Sequence, residues 1–145
     1  MARQAKLTPS PVPASMAERI AVFLADWAPT AARIVLGVVL AWFGYHELVQ
    51  PAPWTGYVPA LSPGSDLAVL LVLGHGWVLV LLAVALVAGI APRMAAAGAV
   101  VLLAEIVFWL AVSGGLSDLV IRDLGVLGLA VCLTGCSSHR AVLSR

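Results

Sequence analysis

Residues 67–90 read LAVLLVLGHGWVLVLLAVALVAGI, a run with a single histidine and no Asp, Glu, Lys or Arg. At ~1.5 Å per residue a helix of this length crosses the ~30 Å hydrocarbon layer of a bilayer. Backbone N–H and C=O groups in lipid must be satisfied within the segment, which a helix does and a lone strand does not. This stretch therefore belongs in a membrane.

The rest of the chain falls into place around it. Only Ala91-Pro92-Arg93 separates it from a second apolar run, 94–112, so the two form a tight hairpin. Further runs cover 31–48 and 119–136. Together they predict an all-α membrane protein, a four-transmembrane-helix bundle over residues 30–136. Thr30, Ser65-Asp66 and Ser117-Asp118 stand where the first, second and fourth helices need N-caps. Composition agrees: the 145 residues are 62% apolar and 10% charged, whereas soluble domains carry about 25% charged residues. So few charges exclude an ordinary soluble enzyme, a nucleic-acid binder and a disordered chain. Two cysteines are too few for a disulfide scaffold. No phosphate loop, Ser-His-Asp order or zinc-protease motif is present.

Charge placement orients the bundle. Arg3, Lys6, Arg19 and Arg33 precede or open the first span, Arg93 lies in the hairpin, and Arg140 and Arg145 follow the fourth. Four spans put all of these on one side, which the positive-inside rule makes cytoplasmic, termini included. Arg122, inside the fourth span, is the exception, and Arg33 is expected to snorkel to the cytoplasmic interface.

Residues 1–14, with Pro9, Pro11 and Pro13, read as a disordered tail without a secretory signal, and 137–145 as a short cytoplasmic tail. Ser15-Met16-Ala17-Glu18 is a capping box. It opens an amphipathic helix over 15–28, with Met16, Ile20, Phe23 and Trp27 on one face. Pro29 interrupts it, so an interfacial helix is preferred to an extension of the first span. The outer loop carries Pro51, Pro53, Pro59 and Pro63 around Trp54 and Tyr57. Its aromatics read as an interfacial belt, with a lid over the bundle as the alternative.

The stretch from Arg33 through Leu36-Gly37 and Trp42-Phe43-Gly44 to Glu47-Leu48, followed by Pro51, resembles the first helix of the DoxX family. There an Arg, a Leu-Gly pair, an aromatic-Gly pair and a Lys-Leu ending recur in this order. Ser117-Asp118 with Arg122-Asp123-Leu124-Gly125 and Gly128 resembles the family's last span. The resemblance covers about residues 30–136. It implies a small multi-pass protein of a bacterial-type inner (plasma) membrane. Some members resemble the small subunit of thiosulfate:quinone oxidoreductases, and others are linked to complexes handling oxidative or thiol stress. The implied role is a partner in a redox membrane complex, with no catalytic residues to carry over. Glu47 stands where the family commonly has Lys, so any role of that lysine does not transfer.

Ionisable groups inside spans are expensive and are functional candidates by default. Glu47, His75, Glu105, Arg122 and Asp123 all fall in the outer half of the predicted bundle. Arg122 cannot shed its proton, so it needs a partner. Glu105 is preferred, with Asp118 as rival. The excess carboxylates then call for a proton, a protonated histidine or a cation nearby. The preferred reading is a structural Arg–Glu pair; the sharper one is a proton or quinone site. His46 and His75 differ in depth by about 10 Å, which argues against a bis-histidine haem. Trp42, Trp77 and Trp109 are candidate ring contacts, although packing and belt positions are commoner uses. Cys132, Cys136 and His139 share one helical face and form a weak metal half-site; cysteine packed as a small hydrophobe is preferred. Gly37, Ala41 and Gly44 mark a close-packing face on the first helix, and Gly125 and Gly128 one on the fourth. Neighbouring first and fourth helices would bring Glu47 to Arg122 and Asp123.

The leading expectation is a non-catalytic or weakly catalytic subunit that anchors a redox partner and presents a quinone site. Its partners are the bilayer, a protein of the same complex and a second copy of the chain, but no nucleic acid. A small proton or solute transporter and a pure assembly scaffold are the alternatives.

Overall fold

A computed structural model describes residues 15–135. Among them are four α-helices, one 3-10 helix and no strand: α1 (Met16–Val49), η1 (Ala52–Tyr57), α2 (Asp66–Ala88), α3 (Pro92–Gly114) and α4 (Asp118–Gly135). Helices α1, α2 and α3 are each long and apolar enough to cross a membrane. Helix α4 is 18 residues long and carries Asp118, Arg122 and Asp123.

Local chemistry sets the ends. The Ser15–Glu18 capping box forms as expected, with Ser15 N–H donating to Glu18 Oε2 at 2.7 Å and Glu18 N–H to Ser15 Oγ at 3.2 Å. Ala68 N–H donates to Ser65 Oγ at 3.3 Å to cap α2. Gly89 ends α2 in the left-handed region (φ 74°), which glycine enters at no steric cost, and Pro92 opens α3 where its missing N–H has no partner to lose.

The break expected at Pro29 is absent. Helix α1 runs unbroken for 34 residues with Pro29 inside it. A proline removes one backbone hydrogen bond, and the full turns on both sides carry the helix through. Thr30 is accordingly a buried residue within α1 rather than a cap. At ~1.5 Å per residue α1 is far longer than a bilayer core. Its first part stands clear of the bundle, leaving Met16, Ile20, Phe23 and Trp27 exposed.

Packing runs around a four-helix perimeter. Helices α1 and α2 pack extensively, as do α3 and α4, while the α2–α3 and α1–α4 seams are thin. The α1–α2 crossing is close because of glycine. A Cβ on Gly44 would lie 2.8 Å from the Gly76 carbonyl oxygen, and one on Gly37 2.7 Å from Val87. Ala41 faces outward, and nothing lies within 4 Å of a Cβ at Gly125 or Gly128, so the glycine face expected on α4 packs against nothing described. The core of Leu36, Leu40, Leu79, Ala83, Leu86, Ala96, Ala99, Leu103, Ala130 and Leu133 fills the half nearer the Gly89–Ala91 turn. Arg33 is 2% exposed and does not snorkel. It shares the inward stripe of α1 with Leu36 and Leu40, three and seven residues on, which carries it into the bundle.

Candidate ligand-binding site

The site follows from the glycine crossing. Where Gly44 meets Gly76, the next turn of α1 brings Glu47 onto α2, and a Cβ on Gly76 would lie 3.1 Å from the Glu47 Cβ. His75 Nδ1 and Glu47 Oε2 are then 2.7 Å apart, with side chains 24% and 6% exposed. Glu47 lies two residues from the end of α1, but His75 lies nine residues into α2. For the two to meet, α2 must overhang α1 by about 10 Å. The 50–65 connection roofs that step. The Thr55 hydroxyl, 2% exposed with the rest of its residue, donates to the Ala52 carbonyl at 2.8 Å and accepts from Gly64 N–H at 3.0 Å, tying the connection into a knot.

Beneath the roof the thin α2–α3 seam opens into a cavity of about 430 Å³. Its polar groups are Glu47, His75 and Glu105; its rings come from Trp54, Tyr57 and Trp109; Val72 and Ile106 add aliphatic wall. Ligand pockets typically measure about 300–1,000 Å³ and combine apolar walls with a few convergent polar groups. Glu105 sits halfway along α3 and is exposed towards the seam.

Three of the five expected polar residues thus share the cavity. The other two pair with each other: Arg122 Nε donates to Asp123 Oδ1 at 2.8 Å, and the guanidinium stands over the Phe43 ring, 5.2 Å from its centre. The expected Arg122–Glu105 pair is not formed, nor is the Asp118 alternative. Asp123 faces inward and is buried, so the long Arg122 side chain folds back to its neighbour instead of reaching α3. As adjacency of α1 and α4 implied, Glu47 and Asp123 come close: both line a second, smaller cavity with Leu40, Phe43, Leu79, Leu103, Ile106 and Val126.

His46 stays outside the site, its Nδ1 2.9 Å from the Trp42 carbonyl oxygen and its ring tilted against Trp42 at 4.4 Å between centres. Trp42 and Trp77 are exposed and do not line the cavity, whereas Trp109 does. Cys132 is exposed, and Cys136 and His139 lie outside the described residues. Among the described residues no three His, Cys, Asp or Glu groups are arranged to hold a metal ion. Trp54 and Tyr57, read from sequence chiefly as a belt, are cavity walls. The signal was the clustering of two rings and four prolines in one short connection, which cannot be regular helix and so can fold over the bundle.

No family model, curated protein or solved structure matches the chain. The fold and the site define it as a helical membrane protein with a roofed, acidic and aromatic cavity.

Proposed function

We propose that this chain is a DoxX-like, four-span subunit of a bacterial-type plasma membrane, with both termini cytoplasmic, that serves a redox complex by holding a quinone-class ligand in the α2–α3 cavity. The observation that carries the reading is the Glu47–His75 pair set in an otherwise apolar and aromatic wall. A quinone has an apolar, stackable ring and oxygens that need hydrogen-bond partners, and proton partners when reduced. The aromatic rings match the first requirement, and Glu47, His75 and Glu105 the second. Leu71 and Glu105 are exposed at the seam, so a lipid-soluble ligand has a lateral way in. The fourth crossing is supported by the length over which α4 packs on α3, and by the mutual neutralisation of Arg122 and Asp123.

A transporter needs polar groups along its whole path, but below the cavity Thr30 and Arg33 are the buried polar side chains among the described residues, and close-packed leucine and alanine fill the space between them and the cavity. The transporter reading is therefore the weaker one. Titration of the detergent-purified protein with decylubiquinone, followed by tryptophan fluorescence, tests the proposal. Saturable quenching is expected, with His75→Ala weakening affinity about tenfold, the worth of one hydrogen bond of ~1.4 kcal/mol. Absence of saturable quenching would remove the ligand reading and leave a scaffold, while proton flux in proteoliposomes would favour the transporter.

A further inference from the structure

Glu47 belongs to two cavities at once. On one side it lines the large cavity with His75, and on the other the small one, about 30 Å³, with Asp123 across from it. A site needs roughly 10–15 Å³ of such volume and two or more polar partners to hold a water. The small chamber has the volume, and the Glu47 and Asp123 carboxyls, 6% and 8% exposed, are its polar walls. Its other walls are aliphatic or the Phe43 ring. Asp123 is bonded to Arg122, whose side chain is 51% exposed on the surface of α4. A continuous series thus runs from His75 through Glu47 and the chamber to Asp123, whose partner Arg122 is exposed on α4 and not at the α2–α3 seam.

The geometry points to a one-water proton relay in which Asp123 carries protons between the Glu47–His75 pair and the α4 surface. In one transfer the carboxylic acid form of Glu47 gives its proton to the chamber water while that water gives a proton to the Asp123 carboxylate. The water is regenerated, Glu47 is left as a carboxylate beside His75, and the Asp123 acid then returns its proton to water at the outer end of α4, where the Arg122 head is half exposed; no electron moves. Other charged groups around the path are Glu105, facing the large cavity from α3, and Arg122, which cannot take the proton and holds Asp123 in place. The relay gives the site a separate exit. An occupant of the large cavity covers the direct route from His75 to water, but the chamber lies behind Glu47.

The inference rests on reading the large cavity as a ligand site, and its test substitutes a covalent plug for the ligand. In a Cys132→Ser, Cys136→Ser background, Leu110→Cys would be converted by benzyl methanethiosulfonate into a benzyl mixed disulfide, with methanesulfinate leaving, so that the benzyl group plugs the cavity. Proton exchange of the His75 ring is then followed by NMR in micelles with ¹⁵N-histidine, the signal being assigned through His75→Gln. The plugged protein is expected to keep fast exchange, and Asp123→Asn to slow it about a hundredfold, the scale of a positioned proton carrier. Val126→Phe fills the chamber without touching a charge and should slow it likewise, which separates the relay from any folding defect of Asp123→Asn. Fast exchange in the plugged Val126→Phe protein, or slow exchange in the plugged parent, would overturn the relay. Decylubiquinone binding to the unplugged protein is read independently, so either idea can fail alone.

Discussion

Glu47 and His75 hold each other at 2.7 Å in an apolar wall, and a polar group so placed depends on its partner. Truncating either leaves the other unsatisfied, so Glu47→Leu and His75→Leu should each destabilise the protein by about 1–3 kcal/mol. The double variant should cost less than the sum, with a coupling of about 0.5–3 kcal/mol in a thermodynamic cycle measured by denaturation in mixed micelles. Additive losses would dissolve the pair. Arg122 and Asp123 should couple by at most about 1 kcal/mol, because the guanidinium is half exposed. Glu105→Gln should leave stability nearly unchanged, whereas an Arg122–Glu105 bridge would make it costly. The sequence marks Glu47, His75 and Glu105, which meet at one cavity, but not how they or Arg122 and Asp123 pair. Adjacent residues on a helix do not face each other, so Arg122 bonding to Asp123 runs against the usual i, i+4 expectation. Level helix ends put His75 about 10 Å deeper than His46, the neighbour of Glu47; the overhang of α2, which neither helix shows alone, brings His75 to Glu47.

At the scale of elements the α1–α2 crossing does two jobs. It buries Gly37 against Val87 and, by crossing at Gly44 and Gly76, sets Glu47 beside His75. A methyl group at Gly44 would press on backbone, which cannot move aside as a side-chain tip does. Gly44→Ala should therefore cost about 1–3 kcal/mol and lengthen the Glu47–His75 bond. Gly125→Ala should instead be neutral or stabilising by up to about 1 kcal/mol, since its site is open and alanine is the better helix former. Thermal unfolding of the two variants in one detergent gives the comparison. Four apolar runs and the Ser15 and Ser65 caps were legible in the sequence, because length and capping residues are local signals. Which glycines pack was not legible, since that depends on how each helix is rotated about its axis. Nor was the continuity of α1, which the flanking turns decide over Pro29.

Among the described residues two well-packed helix pairs, α1 with α2 and α3 with α4, part at the end away from the Gly89 turn. If α4 crosses the bilayer as α1 to α3 are built to do, single cysteines at positions 3 and 145 share a side, and one at Leu116 lies opposite. Impermeant maleimide on intact cells should label the Leu116 site and neither terminal one; labelling of a single terminus would reduce the crossings to three. The knot in the 50–65 connection has a consequence for timing. Thr55 ties the roof to itself at Ala52 and Gly64 and, among the described residues, not to the cavity's own polar groups. Losing that hydroxyl in Thr55→Val would loosen the roof in the empty and the filled protein alike. Entry and departure of an occupant should then quicken together in stopped-flow records, while the equilibrium between them stays nearly where it was. The roof, on this view, sets how long an occupant stays, and the wall beneath it sets how tightly it is held.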